Sequence, residues 1–143
     1  LEEKCGYYGE KLVLFAQELG LNTCWVAMTY SKIKTAFQVE KGEKLCIVIA
    51  LGYGETQGLP HKSKSMEEVI QLDGPAPEWF QKGVEAALLA PTAMNQQKFL
   101  FRLDKNRVSV KAGFGFYTKI DMGIVKYHFE IGAGKEHFQW ELS

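Results

Sequence analysis

Three short stretches hold residues whose types and spacing could do chemistry. The first is Cys24-Trp25 with Val26 and Ala27, just after a run ending in Gly20. Cys and Trp are both strongly buried types, so the pair reads first as core filling. The sharper alternative uses backbone: N–H groups of Trp25, Val26 and Ala27 at a turn could meet the edge of a flat heteroaromatic. A thiolate nucleophile fits least, because no His lies near Cys24 in sequence to lower its pKa.

The second stretch is His61-Lys62-Ser63-Lys64-Ser65. Two cations and two hydroxyls precede an expected helix N-terminus, and together they could gather around one phosphate. A solvated basic loop has the same composition. The third is Ala90-Pro-Thr-Ala-Met-Asn-Gln-Gln97. Pro91 stops a helix, and Thr92 and Asn95 could then hydrogen-bond a polar ligand edge or simply form a polar connection.

Other candidates are weaker. His128 flanks an apolar stripe and reads as a satisfied core or boundary residue. Asp121 opens a helical pattern and reads as a cap. There is no Ser/His/Asp grouping, P-loop or GxGxxG, and Gly113-Phe-Gly115 is too short for a phosphate loop. Cys5, Cys24 and Cys46 are odd in number and lack CxxC spacing, and His61, His128 and His137 show no ligand spacing with them. No metal site is expected, and the cysteine usage points to a reducing, cytoplasmic setting.

Elements must position these groups. Gly6–Leu19 reads as a helix with Leu12, Phe15, Ala16 and Leu19 on one face and Gly20 as its C′ residue. Thr29–Thr35 reads as the start of a short helix capped by Thr29 or Ser31. Lys44–Leu51 is an apolar run that reads as a strand buried on both faces. Ser65-Met-Glu-Glu68 fits a capping box. Residues 72–77 form a linker with Gly74, Pro75 and Pro77. Pro77–Leu89 reads as a helix with Phe80, Val84, Ala87 and Leu88 inward. Lys98–Leu103 and Arg107–Ala112 read as a hairpin closed at Asp104–Asn106. Asp121–Gly132 is a further helix, with Met122, Val125, Phe129 and Gly132 on one side. An echo links Gly9, Phe15, Gly20 and Trp25 to Gly123, Phe129, Gly134 and Trp140, which suggests a degenerate duplication imitating a homodimer. The expected fold is α+β, a mostly antiparallel sheet flanked by helices.

The 143 residues suffice for one domain, and 46% hydrophobic with 24% charged is ordinary globular composition. Lys+Arg and Asp+Glu both number 17. That balance offers no basic field for nucleic acid. No apolar run approaches the roughly 20 residues of a membrane helix. Leu1-Glu-Glu-Lys4 reads like the middle of a longer protein.

Together these stretches resemble the FMN-dependent nitroreductase family, in its subgroup of the TM nitroreductase type, where one chain carries two related halves. The resemblance runs over most of residues 6 to 140. It rests on GYYGEKLVLFAQELGLNTCWVAM, LCIVIALGYGE, HKSKSMEEV and ALLAPTAMNQQKFLF. The last is similar to the family's Ala-Pro-Ser-x-x-Asn-x-Gln-Pro loop. The resemblance implies a single nitroreductase-like domain over 1–143, with 1–72 the remainder of a first half and 73–143 a second, degenerate half. It implies FMN, with NADH or NADPH as reductant and a nitroaromatic or quinone-type small molecule as electron acceptor. The flavin would carry the chemistry, so no catalytic side chain is expected. The implied cofactor contacts are Trp25, Val26 and Ala27 at the ring edge, Lys62 and Lys64 at the phosphate, and Pro91, Thr92 and Asn95 from the second half.

The family's Arg-Arg-Ser-x-Arg segment is absent, as is a first-half Asn-x-Gln-Pro loop, and Lys98 stands where Pro usually follows Gln97. These departures suggest an N-terminally truncated fold, and with it self-association or pairing with a missing N-terminal segment. The alternative function is a non-catalytic lobe that binds a partner chain or a flavin without turnover.

Overall fold

A helix that ends on glycine opens the chain. In the computed structural model, which describes residues 1–31 and 37–141, helix α1 spans Glu2–Glu18. Gly20 follows at φ 76°. Its N–H donates to Gln17 O, and Leu21 N–H donates to Ala16 O at 2.9 Å, the pair of bonds that closes a helix around a left-handed glycine. Strands β1 (Asn22–Val26) and β2 (Val48–Gly52) then pair antiparallel, Trp25 opposite Ile49. Next come β3 (Ile70–Gln71), α2 (Glu78–Ala87), β4 (Phe99–Asp104), β5 (Arg107–Ala112), α3 (Thr118–Ala133) and β6 (Gln139–Trp140). The fold is α+β.

Two compact units result: Leu1–Lys11 with Leu59–Ser143, and Leu12–Gly58. The larger unit holds a sheet ordered β3-β4-β5-β6. The β4–β5 pair is antiparallel, and two-residue strands lie parallel on either edge. Its core is aromatic. Phe129 of α3 stacks on Phe101 of β4 at 4.8 Å and meets Phe80, Phe138 and Trp140 edge-on or tilted. Phe80, Val84, Ala87 and Leu88 all face inward, as the spacing in α2 predicts.

Glycines let α3 approach two neighbours. A Cβ on Gly132 would stand 2.3 Å from Lys82 O of α2. Across α1 the approach is reciprocal: a Cβ on Gly6 would lie 2.0 Å from Ile120 O, and one on Gly123 would lie 1.9 Å from Glu3 O. Each helix thus offers a glycine to the carbonyl three residues before the other's glycine. Polar groups flank this crossing. His128 Nε2 meets the Glu10 carboxylate at 2.7 Å, deep between the helices. Tyr7 Oη donates to Glu130, which also accepts from Trp140 Nε1 and pairs with Lys135 at 2.7 Å. Burial first, then the Glu130 bond, hold the Tyr7 phenol above its usual range. Glu130 and Tyr7 push the Lys135 ammonium upward.

The smaller unit departs from expectation. Leu12, Phe15 and Leu19, expected on a core face, are exposed, and among the described residues Ala16 is its only buried hydrophobic. The strand expected at 44–51 to be buried on both faces runs Val48–Gly52 instead and is half-buried to exposed. The sequence pattern gives an apolar run but not the layer needed to cover it. Of the helix expected at Thr29–Thr35, residues 32–35 lie outside the described residues.

Candidate functional site

Loops 61–65 and 91–97 belong to the larger unit, and the structure joins them. The last carbonyls of a helix lack partners inside it. Here Ser63 Oγ donates to Leu88 O at 3.0 Å, and His61 Nε2 lies 3.4 Å from Leu89 O, so the basic loop lies on the C-terminus of α2. His61 Nδ1 is buried and has no partner among the described residues.

Gln97 is the hub. Only 3% exposed, it uses every polar group. Its Oε1 accepts from Lys64 N–H at 2.8 Å, and its carbonyl accepts from Lys64 Nζ at 2.9 Å. Its Nε2 donates to Lys62 O and Asn95 Oδ1, both at 2.8 Å, and its N–H donates to Thr92 Oγ1 at 3.0 Å. Asn95 Nδ2 donates to Lys62 O. Thr92 and Asn95 therefore help build the loop itself.

The same loop is strained. Met94, Asn95 and Gln97 have φ of 52°, 49° and 44°. Asn tolerates the left-handed region, but Met and Gln adopt it seldom, at a cost of roughly 1–3 kcal/mol each. Asp121 helps hold this shape from α3. Its carboxylate accepts Ala93 N–H at 3.0 Å and Gln96 Nε2 at 2.7 Å. The cap expected of Asp121 is therefore corrected: Tyr117 is the N-cap, and Asp121 sits inside the helix bonding a different loop. Burial raises its carboxyl above the usual range, and the two bonds partly offset that. His128 is the satisfied boundary residue expected, paired with Glu10.

A second correction concerns the basic loop. The Ser65–Glu68 bond forms, with Ser65 N–H donating to Glu68 at 2.9 Å, yet residues 66–69 make a single turn and run straight into β3. No helix N-terminus is there to add its dipole. Lys64 is half-buried and tied to Gln97. Lys62 is exposed, and its ammonium has no partner among the described residues.

Trp25, Val26 and Ala27 lie in the smaller unit. The sheet there has two strands, with β1 paired to β2. Cys24 is exposed, which corrects the reading of it as core filling. Cys24→Ala is accordingly expected to change stability by no more than about 0.5 kcal/mol, as for a surface residue. A urea-midpoint shift equivalent to 1 kcal/mol or more would contradict the exposed placement.

The sequence pattern did not single out Gln97, Gln96 or Asp121 as shapers of the site. Lys98 was noted only as a departure, but its Nζ donates to Phe114 O at 2.8 Å and holds the 113–117 turn. That turn exposes Phe114 and Phe116. Among the described residues, no group of three or more His, Cys, Asp or Glu could hold a metal ion. No helix there is long and apolar enough to cross a membrane.

Comparison with known proteins now bears on these loops. A family model described as "Putative TM nitroreductase" matches residues 1–133, which takes in both loops and both glycine crossings. The chain belongs to this family. A search of curated proteins found no match. Among solved structures, the chain is similar to a protein from Thermotoga maritima described as a putative nitroreductase, with a TM-score of 0.70 and 23% identity. The match covers 92% of this chain and 54% of that one, so the chain spans about half the length of this relative. At that identity the likeness shows the nitroreductase-like fold.

Proposed function

We propose that the chain serves an FMN-dependent NAD(P)H oxidoreductase reducing nitroaromatic or quinone-type small molecules, with the joined loops at the phosphate end of the flavin. The observation that carries this is the Gln97 hub, which fastens a basic loop to a strained polar one in a chain of this family. The donor set suits a flavin phosphate: the Lys62 ammonium is exposed and has no partner among the described residues, and the Lys64 ammonium holds the loop beside it by donating to Gln97 O. When bound, FMN would supply the hydride and electron transfer.

The chain's own residues bind and orient. Lys62 meets phosphate charge, while Lys64 fixes the loop through Gln97. Thr92 and Asn95 set the loop's conformation after Pro91 ends the α2 connection. Trp25, Val26 and Ala27 would offer backbone donors to a polar ring edge, as the family resemblance implies. The reciprocal Gly6–Gly123 crossing, and Gly20 and Gly134 ending their helices at φ 76° and 77°, support two related halves divided near residue 72.

The two lysines separate in a flavin fluorescence titration. Lys62→Ala should weaken FMN binding by about 1–3 kcal/mol, the range for a charge-assisted bond, and leave riboflavin binding unchanged. Lys64→Ala should weaken both flavins alike, because it loosens Gln97. Unchanged FMN affinity in Lys62→Ala would remove the phosphate reading. A second reading, a non-catalytic lobe binding flavin or a partner, draws on the exposed apolar face of α1. Flavin-loaded protein that does not bleach with NADH or NADPH would select it.

A further inference from the structure

One side-chain amide braces loop 91–97 to the turn at 113–117. Gln96 Nε2 uses both its hydrogens, donating to Phe116 O at 2.8 Å and to Asp121 Oδ2 at 2.7 Å. A Cβ on Gly115 would stand 2.4 Å from Gln96 Oε1, so the turn lies directly against the amide. Asp121 decides which way that amide points. It is 5% exposed, and both its partners are neutral donors, Ala93 N–H on Oδ1 and Gln96 Nε2 on Oδ2. Among the described residues no cation pairs with it. A buried carboxyl without a cationic partner is costly, and such groups are kept where their geometry is needed. The geometry here needs acceptors only. A carboxylate offers two, whereas a carboxamide carries a donor on one side. With Asn at position 121, Oδ1 could still accept Ala93 N–H, but Nδ2 would face Gln96 Nε2. If Gln96 turned over to answer it, Gln96 Oε1 would face Phe116 O. Neither orientation satisfies both ends of the brace.

We propose that Asp121 is a positioning residue for the flavin site, acting through Gln96 to hold loop 91–97 and the 113–117 turn in the arrangement that binds the cofactor. The inference rests on the reading that the flavin lies at loop 91–97. That loop needs an outside hold, because Met94, Asn95 and Gln97 keep left-handed φ angles, and strain of this kind persists only where surrounding contacts over-determine it. Two sets of bonds do so. Gln97 fastens the loop to residues 62–64, on the phosphate side. Asp121 and Gln96 fasten it to α3 and to the turn that precedes α3. The first set brings the charge of the basic loop; the second sets only shape. Loss of the second should therefore be felt by a flavin with or without its phosphate.

The test joins flavin fluorescence titration to hydrogen exchange read by mass spectrometry, on the whole chain, with circular dichroism to confirm folding. Asp121→Asn should raise the dissociation constants of FMN and riboflavin alike by about 10-fold, as for one misdirected hydrogen bond to a charged group. Gln96→Met, which removes the amide and keeps the length, should do much the same. Gln96 is half-buried, so this variant carries the test even where Asp121→Asn fails to fold. The double variant should bind no more weakly than the weaker single one, because both changes break the same brace. In the flavin-free protein each single variant should speed exchange in peptides covering 91–97 and 113–118. A folded Asp121→Asn with a lower urea midpoint but wild-type flavin affinity would make the residue structural only and overturn the proposal. Losses that multiply to about 100-fold in the double variant would overturn the route through Gln96. A wild type that binds neither flavin would remove the flavin reading itself; unchanged exchange in both peptides would then overturn the brace as well.

Discussion

Phe129→Ala is expected to destabilise the helix–sheet unit by about 3–5 kcal/mol, the range for removing a large aromatic from a filled core. The ring is fully buried and lies among Phe80, Phe101, Phe138 and Trp140, at centroid distances from 4.8 to 5.7 Å. It also fills the space above Gly83, where a Cβ would stand 2.6 Å from it. Those neighbours come from α2, β4 and the β6 segment, so no single element can move in to close the void. Phe129→Leu keeps most of the volume and should cost much less. Urea unfolding with an unchanged slope measures both. A loss below 1 kcal/mol for the alanine variant would mean that the cluster does not hold the unit together.

His128→Leu is expected to cost about 1–3 kcal/mol, because it removes a hydrogen-bond partner from a buried carboxyl group. Glu10 is 1% exposed, and the imidazole sits 2.7 Å from its carboxylate. The double change Glu10→Met with His128→Leu replaces the pair by apolar groups and should regain most of the loss, since replacing both partners of a buried hydrogen bond by apolar groups of similar shape is often nearly neutral. Additive losses in this double-mutant cycle would show that the two residues do not act as a pair.

The contrast between these helices explains what the sequence could reveal. Periodicity placed α2 and α3 within a few residues, because their apolar stripes meet partners inside the chain. The β4–β5 hairpin was equally plain: alternating β-branched and aromatic residues flank a turn at Asp104–Asn106, where Lys105 takes φ 60°. The same signals misled at α1 and β2, because Leu12 and Leu51 are apolar whether or not anything covers them. The two-residue strands β3 and β6 are too short to carry a period. Composition singled out the two candidate loops but not the joint between them. Gln97 gains its role from a bond to a residue 33 positions away, and Asp121 reaches back 28 positions to Ala93. Hydrogen bonds of that reach leave no local pattern.

The glycine crossing also sets an order in time. Gly6 and Gly123 stand at opposite ends of the chain, and each helix is the surface on which the other settles. At ribosomal rates of about 5–20 residues per second, α1 emerges roughly 6–23 seconds before the turn of α3 that receives it. Throughout that interval its glycine face and the exposed Leu12, Phe15 and Leu19 are open to water, so slow synthesis should appear first as aggregation seeded from this helix.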